Sequence, residues 1–116
     1  KKNNYTSGLA PHLIRLTRKK KKVMWFSGDI GVAPYSYTLF HDVDPKYGVE
    51  YVAVGLGDRD DDAVLEVNVE DDGAVKLDIH SLGKVKHDPL TSYGLAFWEK
   101  KFPPGSPVTP RGGTGK

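Results

Sequence analysis

The stretch Ala63-Val64-Leu65-Glu66-Val67-Asn68-Val69-Glu70-Asp71-Asp72-Gly73-Ala74-Val75-Lys76-Leu77-Asp78-Ile79-His80 decides the fold class. Its dominant period is two. Ala63, Leu65, Val67 and Val69 fall on one face, and Val75, Leu77 and Ile79 fall on one face after the turn. Such alternation marks half-buried strands. Register separates the two possible loops. A two-residue loop of Asp72-Gly73 sets Val69 against Lys76 and puts one of them on the wrong face. A three-residue loop of Asp71-Asp72-Gly73 pairs Val69 with Val75, Val67 with Leu77 and Leu65 with Ile79. Gly73 then occupies the left-handed position of a bulged turn, where a side chain would clash.

Working outward, Tyr35–His41 and Val49–Val54 are rich in aromatic and β-branched residues and read as a second hairpin. The Asp44-Pro45-Lys46-Tyr47-Gly48 segment between them supplies proline to enter a turn and glycine to leave it. Val23–Phe26 reads as a short strand, and Leu95-Ala96-Phe97-Trp98 as a late edge strand. The 9–17 segment carries both periods. Leu9, Leu13 and Leu16 have helical spacing, while Ile14-Arg15-Leu16-Thr17 alternates, and the strand is preferred. The expectation is a mainly β chain with six or seven mostly antiparallel strands in a small barrel or sandwich.

A chain of 116 residues fits one domain. Residues 1–11 and 103–116 are too polar, or too rich in proline and glycine, to offset their own ordering entropy. They read as N- and C-terminal arms around a single β-rich domain over 12–102. With no cysteine, disulfide frameworks, thiolate metal sites and thiol nucleophiles are excluded, and the composition suits a soluble chain in a reducing cytoplasm. No apolar run reaches the roughly 18 to 20 residues of a membrane helix, so no membrane insertion is expected.

The net charge of +2 hides a strong separation. Residues 1–24 hold eight basic residues and no acidic one, whereas 58–78 hold nine carboxylates against two cations. Such asymmetry bears on partners rather than on the fold. Arg18-Lys19-Lys20-Lys21-Lys22 is the densest cationic run, with Trp25 and Tyr5 near it and Lys1, Lys2 and Arg111 on the arms. Adjacent cations with interleaved aromatics suit phosphate contacts and base stacking. An acidic protein surface would satisfy the same run, and so would the acidic loop of a second copy, giving self-association.

Asp58, Asp60 and Asp62 imitate the start of a calcium loop. The rest of that motif fails, because Ala63 stands where glycine is needed and Val69 where glutamate is needed. Four histidines are present, His12, His41, His80 and His87. Metal-independent RNA cleavage needs a base for the 2′-hydroxyl and an acid for the leaving oxygen, roles that paired histidines fill near neutral pH. His41 with His80, or His80 with His87, helped by Lys84 or Lys86, would make such a pair. Arg111-Gly112-Gly113-Thr114-Gly115-Lys116 lacks the first glycine and the following helix of a phosphate-binding loop.

Three functions follow from these residues. The leading one is a small non-enzymatic β domain associated with nucleic acid, RNA before DNA, through Arg18–Lys22, Trp25 and the basic arms. The second is a metal-independent, toxin-like ribonuclease using a histidine pair. The third is a structural subunit of a larger assembly whose terminal arms order against neighbours. None of the three calls for a cofactor.

Overall fold

A computed structural model describes residues 4–28, 30, 36–103 and 105. Lys1, Lys2, Arg111 and nearly all of the C-terminal arm lie outside these residues. The described chain is mainly strand with two helices. A π-helical turn, Tyr5–Leu9, runs into α1, Ala10–Arg18. Five strands follow: β1 Met24–Ser27, β2 Leu39–Val43, β3 Glu50–Val54, β4 Ala63–Val69 and β5 Val75–Ser81. A 3-10 turn at Leu90–Ser92 leads to α2, Leu95–Lys101.

The strands form two sheets rather than a closed barrel. One is three-stranded in the order β1-β3-β2, with β1 parallel and β2 antiparallel to β3; the other is the β4-β5 hairpin. The expected hairpin register is the observed one: Val69 faces Val75, Val67 faces Leu77 and Leu65 faces Ile79. The Gly73 amide bonds the Glu70 carbonyl, and Gly73 has φ +86°, the left-handed geometry the three-residue loop demanded. The hairpin is buried at its base and exposed at its tip, from Ala63 at 3% to Val69 at 70%.

Three expectations are corrected. Six or seven strands become five among the described residues. The 9–17 segment is helical rather than extended, with Ala10 and Leu13 buried on one face and Pro11 near the start, where its missing N–H costs nothing. The described part of the expected N-terminal arm belongs to this helical segment. It is tied to the sheet by the Tyr5 and Tyr51 hydroxyls, 2.6 Å apart, and by the Thr17 hydroxyl donating to the Tyr47 carbonyl at 2.7 Å.

The third correction is Leu95–Trp98, which is the first turn of α2 and not an edge strand. The reason is tertiary. The Asp42 carboxylate on β2 accepts the Leu95 amide at 2.8 Å and so caps a helix start that has no cap of its own. One turn later the Trp98 indole N–H donates to the Leu39 carbonyl at 2.7 Å. Trp98, 2% exposed, is the largest fully buried side chain. Tyr37 and Phe102 stack on it at 5.1 and 5.8 Å, and Phe97 meets it edge-on at 4.9 Å. Leu39 of the first sheet and Ala63 and Ile79 of the hairpin pack into the same cluster, so both sheets meet at this ring.

Trp98→Ala should therefore cost about 3–5 kcal/mol of unfolding free energy, the range for emptying a buried aromatic site. Urea denaturation followed by circular dichroism measures it, and a cost under about 1 kcal/mol would show that the ring is not the hub.

Candidate functional site

The basic run is a structured turn. It closes α1 in a Schellman motif: the Lys20 amide bonds the Thr17 carbonyl at 2.9 Å and the Lys21 amide bonds the Leu16 carbonyl at 3.0 Å. Lys20 takes the left-handed position at φ 54°, where glycine is the usual residue. Cations at a helix C-terminus are favoured by the dipole, which accounts for one or two of these side chains but not five. All five, Arg18 to Lys22, are exposed. Of these five, only Lys22 pairs with a carboxylate among the described residues; Arg18, Lys19, Lys20 and Lys21 have no such partner there.

Lys22 leads from this turn to a second cluster. Its Nζ lies 3.1 Å from Glu50 Oε2, while Glu50 Oε1 lies 2.7 Å from His41 Nε2. The antiparallel register explains the meeting: His41 faces Val52 and Val43 faces Glu50, so His41 and Glu50 sit diagonally on one face of neighbouring strands. Both are largely buried, at 14% and 16% side-chain exposure. Burial opposes ionisation of Glu50, but the hydrogen bonds from His41 and Lys22 outweigh it and hold the carboxyl below the ordinary glutamate value of 4.5. Phe26, across from Val52 on β1, shares this face of the sheet; Trp25, across from Tyr51, lies on the opposite face. Both aromatics are exposed.

His41 and Glu50 line a cleft of about 530 Å³ between the first sheet and the hairpin. Val75, Leu77 and Ile79 of β5 supply apolar lining, and His87, Asp88 and Thr91 supply polar groups from the segment that follows. The Asp88 amide donates to the Tyr93 hydroxyl at 3.0 Å, and the His87 ring meets the Tyr93 ring edge-on. His87 Nε2 is covered yet has no hydrogen-bond partner among the described residues.

The expected histidine pairs are thus rearranged. His80 lies on the other face of the hairpin from Ile79, where it bonds Glu66 at 2.9 Å. That bond and one from the Asn68 amide lower the Glu66 carboxyl. Lys84 and Lys86 are exposed and do not line the cleft. The pair brought to one cleft is His41 and His87. Sequence reasoning missed Glu50, on the strand paired with that of His41, and Phe26, on the strand beyond it; their signal was register, available only after β1, β2 and β3 are paired.

The acidic pole has a structural use. Asp62 accepts the Gly57 amide through one oxygen and the Arg59 amide through the other, both at 3.0 Å, and these bonds lower its carboxyl. Asp61 pairs with the Arg59 side chain at 3.1 Å. The Val85 amide bonds the Asp60 carbonyl, and Gly83 sits where an added Cβ would lie 2.2 Å from that same oxygen. Among the described residues no three His, Asp or Glu side chains are grouped to hold a metal ion, so Asp58, Asp60 and Asp62 form no calcium-loop geometry. No family model, no curated protein and no solved structure matches this chain.

Two outcomes follow from this geometry. Lys20→Gly removes a left-handed lysine and should raise unfolding free energy by a net of about 0.5–1 kcal/mol, the roughly 1–2 kcal/mol of left-handed cost less what glycine's added freedom in the unfolded chain takes back; a loss of stability in urea denaturation would contradict the turn. For Glu50 the folded carboxyl sits below its ordinary value of 4.5. Its contribution to stability is therefore complete above that value and drains away as pH falls through the lowered one. Denaturation midpoints taken from pH 6 downward should fall, and Glu50→Gln should flatten that fall; parallel curves for the two proteins would remove Glu50 from the balance.

Proposed function

We propose that this chain binds single-stranded RNA through the basic turn Arg18–Lys22 and the sheet face beside it. The observation that carries the reading is a turn of five exposed cations, four of them without a carboxylate partner among the described residues, held in one hydrogen-bonded geometry. The backbone bonds that close α1 keep the five side-chain stems on one short turn, and cations gathered in this way suit the closely spaced phosphates of a strand.

Phe26, exposed four residues beyond Lys22 and on the sheet face that carries Glu50, supports single strands over duplex, since unpaired bases stack on such rings; Trp25 offers its ring on the opposite face. Val23 joins the turn to β1, with its carbonyl accepting the Glu50 amide at 3.0 Å, so the turn is hydrogen-bonded to the sheet at its exit. Lys1, Lys2 and Arg111 extend the reading by charge alone.

Binding should weaken steeply with salt. Single strands give a slope near −0.7 in log K against log salt for each phosphate contact, so changing Lys19, Lys20 and Lys21 together to Gln should make the slope shallower by about two units. Fluorescence anisotropy with a labelled oligoribonucleotide between 50 and 300 mM salt measures it. Binding that keeps its slope in the triple variant would sink the reading, as would tighter binding to an acidic peptide of equal charge.

A further inference from the structure

We propose that the cleft beside the basic turn cleaves the RNA that the turn holds, with His41 as general base and His87 as general acid. The inference rests on the RNA-binding reading and adds a reaction to it.

Three features converge on the cleft. First, Glu50 holds His41 Nε2 at 2.7 Å. A carboxylate on one ring nitrogen takes the N–H there and leaves Nδ1 as the basic atom, the arrangement that orients a histidine for proton abstraction. Second, His87 lines the same cleft and carries a covered ring nitrogen bonded to nothing among the described residues. A covered, unsatisfied ring nitrogen in a native structure calls for an explanation, and a catalytic role is one that accounts for such atoms. Third, Lys22 joins the cleft to the turn, because its Nζ reaches the same Glu50 that orients His41. A strand bound along Arg18–Lys22 is thereby led toward the two histidines. Phe26 lies in one row with Val52 and His41 across three strands, about 10 Å from His41 by strand spacing, and offers its exposed ring for a base beside the scissile phosphate.

The step balances without a metal or any co-reactant. His41 Nδ1 takes the proton of a ribose 2′-hydroxyl. The freed oxygen attacks the adjacent phosphorus, and a new P–O2′ bond forms as the P–O5′ bond breaks. His87 gives a proton to the departing 5′-oxygen. The products are a 2′,3′-cyclic phosphate on one fragment and a 5′-hydroxyl on the other. Asp78 and Asp88 also line the cleft and oppose a phosphate there. With Glu50 they make three carboxylates in the lining, and Lys22, 3.1 Å from Glu50, is the cation of the turn that reaches it, so the phosphate is held from the Lys22 side. DNA, lacking the 2′-hydroxyl, is bound and not cut. Glu50 acts through His41 and is a positioning residue.

The test uses the full chain, chelator throughout, and three oligonucleotides of one mixed sequence: RNA, DNA and 2′-O-methyl RNA. The last binds like RNA but has no attacking hydroxyl, so it reports binding alone. The expected result is cutting of RNA only, with cyclic phosphate ends. His41→Gln and His87→Gln should each slow it by roughly a hundredfold to ten-thousandfold, the usual worth of one proton-transfer group. Both variants should bind 2′-O-methyl RNA within twofold of the parent, which also shows that they fold. Glu50→Gln should lower kcat and leave KM within twofold; a rise in KM alone would remove its positioning role.

Bound 2′-O-methyl RNA with intact RNA overturns the cleavage inference and leaves the binding reading standing. No binding to either overturns both. Cutting that survives in both histidine variants, or that yields 3′-hydroxyl ends, also overturns the inference.

Discussion

The hydrogen bond from the Trp98 indole to the Leu39 carbonyl, inside a shell of aromatic rings, is the constraint on which the other elements depend. Neither sheet is self-sufficient. A two-stranded hairpin is marginal alone, and a three-stranded sheet needs a covered face. Trp98 answers both needs at once by packing with Leu39 from the first sheet and Ala63 and Ile79 from the hairpin. Its polar edge is satisfied by a backbone oxygen, so burying the large ring costs no unpaired donor. The position of α2 follows from the same side chain, and Asp42 secures the helix start to β2.

That hub also sets the cleft. The hairpin meets the first sheet through Ala63 and Ile79, and Val75, Leu77 and Ile79 line the gap between the two. The His41 amide bonds the Tyr93 carbonyl, which brings the 3-10 turn and the segment before it against β2. His87 reaches the cleft by that route. The site is a by-product of how the core is joined, built from four separate stretches of chain.

The two charged poles are resolved by different means. The acidic loop is largely consumed internally: Asp62 folds the loop on its own amides, and Asp61 holds Arg59. The basic turn is shaped by backbone bonds while four of its side chains remain without a carboxylate partner among the described residues. A net charge of +2 therefore describes a molecule whose negative charge is in part structural and whose positive charge is presented outward.

The β4-β5 hairpin is encoded locally to the residue, because period-two alternation and the need for a left-handed Gly73 admit one register. The existence of β1 and β3 and the separation of charge are encoded in the same way, since those are local properties of composition. Two segments were decided only by tertiary structure. Ile14–Thr17 alternates like a strand, yet the burial of Ala10 and Leu13 and the bonds of Tyr5 and Thr17 to the sheet select the helix. Leu95–Trp98 is apolar enough for a strand, and the helix wins because a carboxylate 53 residues away supplies its cap and a carbonyl 59 residues away receives its indole. The histidine pairing belongs to the same class. Both expected pairs included His80, whereas strand alternation sets His80 on the face away from the cleft and the fold of the 87–91 segment brings His87 in. Local pattern encodes which face a side chain takes. Which faces meet depends on long-range packing.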